Sequence, residues 1–286
     1  MQMQGASVNP AAFGGHLGRM AGGGEMDSAL RTLSDFAACS LRDDGFTCFT
    51  RLGDDAREGG FQCLLEAFPA LPLDPYAEAA GRFRRYDHAV ILPWEWQIKW
   101  IPAVEGPSGQ YLAEYYQGSY NPEHPGERRA FPTLGDELRA NPLLNSLIWH
   151  DFDLTFWGAH EHALPLHLGV HLVKLLVTEP DAVAISSPNM LHQDGERFTF
   201  AHLIARRNVL GGENVIAAPR CAGFRPEELA PSTIMATFDL LEPLDSYGVH
   251  DPRVSHYVGA VRQADPQRPA ERSVVLIDFA VMATAI

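Results

Sequence analysis

From about residue 198 onward, apolar positions come in short runs broken by turns. Residues 198–205, 214–217, 233–240, 256–261 and 274–281 read as strands, separated at Gly211-Gly212, Pro219, Pro231 and Asp251-Pro252. Many short strands with turn signals between them indicate a β-sandwich or barrel, of which the jelly roll is one form. The first half has a different period. Ser28 is placed to cap a helix with Leu30, Leu33, Phe36 and Ala37 on one face. Residues 54–68 carry Phe61, Leu64, Leu65 and Phe68 at helical spacing and stop at Pro69. Helical spacing returns over 134–148 through Leu138, Leu143, Leu144 and Leu147, with Pro142 splitting it into two short helices.

Between these lie strand-like segments. Residues 45–49 read as a short strand. Trp94, Trp96, Ile98 and Trp100 alternate with Glu95, Gln97, Lys99 and Ile101, which predicts a strand with its tryptophans in the core. A second aromatic run follows at 111–117, and Gly106-Pro107-Ser108-Gly109 makes a hairpin loop between the two. The basic cluster Arg82-Phe83-Arg84-Arg85-Tyr86 reads as a solvated helix face. Residues 1–25 are rich in Gly, Ala and Met, too poor in apolar bulk to fold alone, and are expected to be a mobile tail. The fold expected is therefore α+β, a single domain over 26–286. Its core is a double-stranded β-helix (a jelly roll, cupin-like) over 168–286, with helices and a hairpin from 26–150 packed outside.

Composition narrows the function. The 286 residues are 46% apolar and 20% charged, ordinary for a soluble enzyme. A formal net charge of −14 argues against nucleic acid and against a polybasic membrane patch. No apolar run approaches the roughly 20 residues of a membrane span, and the start carries no signal-like apolar region. Cys39, Cys48, Cys63 and Cys221 have no paired spacing, which fits reduced thiols in a cytoplasm. Oligomeric state is left open.

Histidine is dense between His150 and His171, which raises zinc. His167 and His171 stand four apart, but Leu168 occupies the place of the general-base Glu of HExxH. The surrounding Val and Gly content favours a strand, so these histidines are expected to be packed or hydrogen-bonded at a pocket edge. A stronger signal is Leu191-His192-Gln193-Asp194-Gly195-Glu196. On extended backbone His192 and Asp194 project to one side, and imidazole with carboxylate suits a first-row metal. His256, entering a strand after a turn, is the preferred third ligand. His250 is its rival, less rigidly held on the turn. Two histidines and a carboxylate leave open positions, as in non-heme Fe(II) oxygenases. Arg272 opens an apolar strand, where its charge needs a partner: a carboxylate co-substrate or, on the bland reading, Asp278.

The order His-x-Asp, distal His, then Arg resembles the Fe(II)/2-oxoglutarate-dependent dioxygenases. More narrowly, residues 191–196, 206–214, 251–256 and 272–279 resemble the bacterial branch that hydroxylates free amino acids, typified by isoleucine 4-hydroxylase. Tyr116-Gln117 and residues 128–132 are similar to that branch's upstream motif. Ser273 directly follows Arg272, where some relatives have Arg-x-Ser. The resemblance implies that His192, Asp194 and His256 bind Fe(II), and that Arg272 holds the distal carboxylate of 2-oxoglutarate. It also implies that O2 is consumed, with succinate formed and an unactivated C–H hydroxylated. Asp194 disfavours a halogenase, which must vacate that position for chloride. Arg128, Arg129, Arg206 and Arg207 are candidates for a substrate carboxylate, with at most one of each adjacent pair facing the pocket. Glu114 is a candidate for an ammonium, and Gln117 is carried as a substrate-side residue. The competing readings are a cupin-like dioxygenase without co-substrate, which has no need of Arg272, and a jelly roll that binds a metal or ligand without turnover.

Overall fold

The computed structural model describes residues 32–50, 54–77 and 80–282. The Gly-rich first 25 residues lie outside them, as does the start of the helix expected from Ser28. Its described end, Leu33–Phe36, is a single 3-10 turn.

The molecule is mostly β-sheet with few helices. A seven-stranded antiparallel sheet takes β1 (Phe46–Thr50), β2 (Arg82–Leu92), β3 (Gln97–Trp100), β7 (Leu166–Val177), β8 (Phe198–Arg207), β12 (Asp245–His250) and β15 (Ala270–Val281) in the order β1-β12-β8-β15-β7-β2-β3. A smaller sheet places β10 (Asn214–Ala217) between β11 (Ile234–Phe238) and β13 (Ser255–Val258). Three strands from the first hundred residues thus sit in the main sheet with the later ones. β4 (Val104–Glu105), β5 (Tyr111–Tyr116) and β6 (Arg128–Pro132) form a separate sheet, and β9 (Val209–Gly211) pairs with β14 (Val261–Gln263).

Side chains alternate across the main sheet with the period of two that a strand imposes. Leu168, Val170 and Leu172 of β7 and Val275, Ile277 and Phe279 of β15 face outward. They share one apolar cluster with Leu64 of α1 (Asp54–Ala67) and Leu143, Leu144 and Leu147 of α3 (Pro142–Leu154). Each fully buried large apolar side chain here contributes roughly 1.5–3 kcal/mol. As expected, the stretch divides into two helices at Pro142, which opens the second: Asn141 caps α3 by accepting from Leu144 N–H, and Pro142 sits where no amide donor is needed. The short α2 (Asp136–Arg139) precedes it. The opposite face of the sheet looks toward β13, and a cavity lies between.

Three expectations are corrected. The basic cluster at 82–86 is not a helix face but the start of β2, which pairs with β7 from Arg82 opposite Leu175 to Ile91 opposite Leu166. Arg82 and Arg84 are therefore buried on the inner face. The tryptophan run is a strand only over Gln97–Trp100. Trp94 and Trp96 precede it in a turn at 52% and 60% exposure, Trp96 at φ +51°, so they are not core. β3 pairs with β2, not with β5. The loop at Gly106–Gly109 instead joins β4 to β5.

Candidate active site

β13 carries the smaller sheet's edge, and the chain beside it at residue 192 continues that sheet by one bridge. His192 N–H donates to the carbonyl of His256 at 3.0 Å and His256 N–H returns the bond to His192 at 2.9 Å. Residues exchanging both bonds stand opposite with side chains on one face. The imidazoles accordingly lie 4.3 Å apart between ring centroids. Asp194 follows two residues later on the same side. Its own N–H and that of Gly195 donate to the two oxygens of the Asp251 carboxylate, each at 2.9 Å, which fixes the loop. Gly195 turns the chain there at φ +83°, and a Cβ would sit 2.4 Å from the Tyr120 ring. Only glycine fits.

The ligating atoms of His192, Asp194 and His256 lie within 4.8 Å of one another. His192 Nδ1 bonds the Met190 carbonyl at 2.9 Å, so that nitrogen carries the proton and Nε2 offers its lone pair to the centre. His256 Nε2 is buried without a hydrogen-bond partner, although Asp194 Oδ2 is 3.1 Å away. Two imidazole nitrogens and a carboxylate oxygen converging without satisfying one another fit a divalent first-row metal. Burial works against the Asp194 charge, but the imidazoles beside it outweigh burial and hold the carboxyl well below its usual range. His250, the rival ligand, is stacked on Phe198 with ring centroids 4.8 Å apart, against Phe156 as well. It takes no part in the cluster.

The inner face of the main sheet supplies the cavity's other wall. Arg272 on β15 is 4% exposed, and its Nη2 donates to Asn214 Oδ1 at 3.3 Å while Nε has no partner. Burial, countered in part by Tyr247, pushes its guanidinium down to about 10. Asp278 does not pair with it, being bonded to His171 at 2.6 Å instead. His171 is thus a hydrogen-bonded residue at the pocket wall, not half of a zinc pair with His167.

The model of the 2OG-Fe dioxygenase family matches residues 66–278. The chain belongs to that family. As a 2OG-Fe dioxygenase it is an enzyme that uses Fe(II), 2-oxoglutarate and O2. The dioxygenase is 30% identical over 220 residues to a 3(1)-hydroxy-L-isoleucine 4-dioxygenase of Pantoea ananatis, covering 76% of this chain and 79% of the relative. It is 28% identical over 174 residues to an L-isoleucine-4-hydroxylase of Bacillus thuringiensis, covering 60% and 67%. Its fold is similar to that of IDO from Bacillus thuringiensis, with a TM-score of 0.65 at 20% identity over 85% of this chain and 96% of that one. A bsmA homologue from Methylobium petroleophilum PM1 is similar at a TM-score of 0.64, 20% identity, 91% and 97% coverage.

The substrate-side candidates divide by strand alternation. Arg128 is 66% exposed in its side chain and ion-pairs with Glu114, itself 53% exposed, on the outer surface of the β5–β6 sheet. Arg207 is exposed and pairs with Glu271 at 2.9 Å. Those three do not reach the cavity: their neighbours in sequence occupy the inward positions, as a period of two requires. Arg129 is buried, and its Nη2 donates to Gln117 Oε1. Gln117 then directs its amide N–H groups to Asp194, at 3.3 Å from both the carbonyl and Oδ1. Arg206 bonds the Gly211 carbonyl at 2.8 Å, beside Arg272. Sequence reasoning missed Arg82, Arg84 and Asp251. The first two had a signal, since Arg82 and Arg84 alternate with Phe83 as strand residues on one face do.

Among the described residues no helix is long and apolar enough to cross a membrane.

Proposed function

We propose that this enzyme hydroxylates an unactivated C–H bond of a free amino acid or a similarly small molecule. The balance is one substrate, one 2-oxoglutarate and one O2, giving the alcohol, succinate and CO2. His192, Asp194 and His256 hold the metal, and bound there Fe(II) supplies the centre at which O2 is activated. Arg272 receives the distal carboxylate of 2-oxoglutarate, for which a guanidinium offers paired donors. Gln117, oriented by Arg129, holds the Asp194 carboxylate in place. The surrounding Val258, Val274 and Leu276 keep water from the reacting carbon. The strand order is consistent with a double-stranded β-helix, and the four free cysteines suit a cytoplasmic enzyme. The names of the two relatives put L-isoleucine and its hydroxylated form first among substrates to try.

One observation carries the reading: three ligand atoms within 4.8 Å open onto the same cavity as the incompletely partnered Arg272. The test is succinate release with Fe(II), ascorbate and 2-oxoglutarate. Turnover should require both additions and be lost in His256→Ala but survive in His250→Ala. Loss in His250→Ala with survival in His256→Ala would overturn the ligand assignment. Succinate formed without Fe(II) would overturn the reading as a whole.

A further inference from the structure

The cavity has a second basic wall, built from residues that the proposed iron and co-substrate sites do not use. β2 runs beside β7, and Arg82 stands opposite Leu175, which on its other side stands opposite Arg272. Arg82 and Arg272 therefore share one rung of the sheet, two strands and roughly 10 Å apart. Arg84 lies one inward position further along β2, opposite Val173. Both β2 arginines line the cavity and are 2% and 9% exposed.

Their hydrogen bonds are incomplete in a specific way. Arg82 Nε donates to Asp74 Oδ2 at 2.8 Å, but its Nη2 is buried without a partner. Arg84 Nη2 bonds His171 Nδ1 at 2.6 Å, and Arg84 Nε is buried without a partner. A guanidinium has only donors, so His171 Nδ1 must be the acceptor and its proton sits on Nε2. That Nε2–H donates to Asp278 Oδ2 at 2.6 Å. His171 is therefore neutral, and burial together with Arg84 drives its pKa well below the usual value. Burial and the nearby Glu196 and Asp194 raise Asp278 well above the ordinary carboxylate range. The relay fixes the plane of Arg84, whose charge lies over the Phe131 and Tyr115 rings at 4.4 and 5.0 Å but is paired with no carboxylate among the described residues. The ring faces offset part of the cost of burying that cation, and an anion at the unpartnered Nε would offset more.

We propose that Arg84, with Arg82 beside it, binds the carboxylate of the amino-acid substrate, and that a free carboxylate is what admits a substrate to this enzyme. The inference rests on the oxygenase reading above. Arg272 and Arg84 then hold two different anions at separate places along one face, the co-substrate at β15 and the substrate at β2. A peptide-internal residue or a decarboxylated amine leaves Arg84 without its partner.

The test begins with succinate release by the wild-type enzyme, supplied with Fe(II), ascorbate and 2-oxoglutarate, in the presence of each proteinogenic L-amino acid. The amino acid that stimulates most is then compared with its carboxamide. The acid should be preferred in kcat/KM by roughly a hundredfold or more, as sites with unpaired buried donors discriminate. Arg84→Gln should shrink that preference to below about tenfold and raise KM for the amino acid more than KM for 2-oxoglutarate, with Arg272→Gln doing the reverse. Equal use of acid and carboxamide by the wild type overturns the proposal, and needs no variant to fold. So does an Arg84→Gln enzyme whose KM for 2-oxoglutarate rises as far as in Arg272→Gln, since the β2 wall would then serve the co-substrate. Succinate formed but stimulated by no amino acid removes the carboxylate assignment and leaves the oxygenase reading intact. No succinate under any condition removes both.

Discussion

On β15, Val275, Ile277 and Phe279 point to the helices while Arg272, Val274 and Asp278 point into the cavity, all from one stretch of backbone. β7 repeats the division, with Leu168, Val170 and Leu172 outward and His171, Val173 and Leu175 inward. The outer face is apolar and closed over by α1 and α3. The inner face carries buried guanidinium, imidazole and carboxyl groups, several with donors unpaired. One side of the sheet holds the fold together, and the other spends part of that stability on groups placed for ligands. A register slip of a single residue would exchange the two, so the apolar face is also what fixes where the charged groups point.

The outer face should show the largest loss of stability on substitution. Phe279 is fully buried, packed on Phe152 at 5.9 Å and Phe200 at 6.0 Å between ring centroids. Phe279→Ala should destabilise by about 3–5 kcal/mol, the transfer loss plus the void left behind. Urea denaturation would measure it as a lower midpoint at unchanged slope. A loss below about 1 kcal/mol would mean the outer face is not the stabilising one.

The inner face should respond with the opposite sign. Arg272 is buried with Nε unpaired, so Arg272→Met removes a desolvated charge and keeps most of the volume. Without 2-oxoglutarate the variant should be as stable as the wild type or more so, by up to about 4 kcal/mol. Its affinity for 2-oxoglutarate should fall by about 2–5 kcal/mol. Thermal melts with and without the co-substrate separate the two effects, since only the wild type should gain stability from it. A destabilised Arg272→Met would mean that the arginine is a structural element after all.

The same contrast explains what could be read from the residues alone. The gathering of His192, Asp194, His256 and Arg272 at one cavity was legible because their types and order are unusual together, and most of the strands now seen at 198–207 and 270–281 because apolar outer faces leave a mark. Arg82 and Arg84 could be read from their alternation as positions on one face of a strand, but not as residues of a cavity. Alternation of polar and apolar residues reports which face is covered by apolar groups, and a cavity lined with buried arginines looks the same as a face turned to water. β12 was missed for a related reason: Asp245-Ser246-Tyr247-Gly248-Val249-His250 is a central strand whose small and polar residues are satisfied by neighbours far away in sequence. Ser246, for example, bonds His202 at 2.8 Å, and His202 in turn bonds Asp151 at 2.7 Å. The tryptophans at 94 and 96 misled in the other direction, since alternation continued into a turn that the strand does not include.

Substitutions on the face turned to solvent should change least. Arg128 and Arg207 are the sequence neighbours of Arg129 and Arg206, with the same charge, and differ from them only in pointing outward. An exposed pair such as Arg128–Glu114 contributes about 0–1 kcal/mol, because water and salt screen it and two long side chains are immobilised to make it. Arg128→Gln and Arg207→Gln should therefore each shift stability by less than about 1 kcal/mol and leave KM for the amino acid within about threefold of wild type. Arg129→Gln, one residue along the same strand, should instead lower kcat, because Gln117 loses the donor that aims its amide at Asp194. Steady-state kinetics on the three variants side by side decide the matter. An Arg128→Gln enzyme as impaired as Arg129→Gln would mean that inward and outward positions on β6 do not divide function from surface, and the contrast between faces would fail where its side chains are most alike.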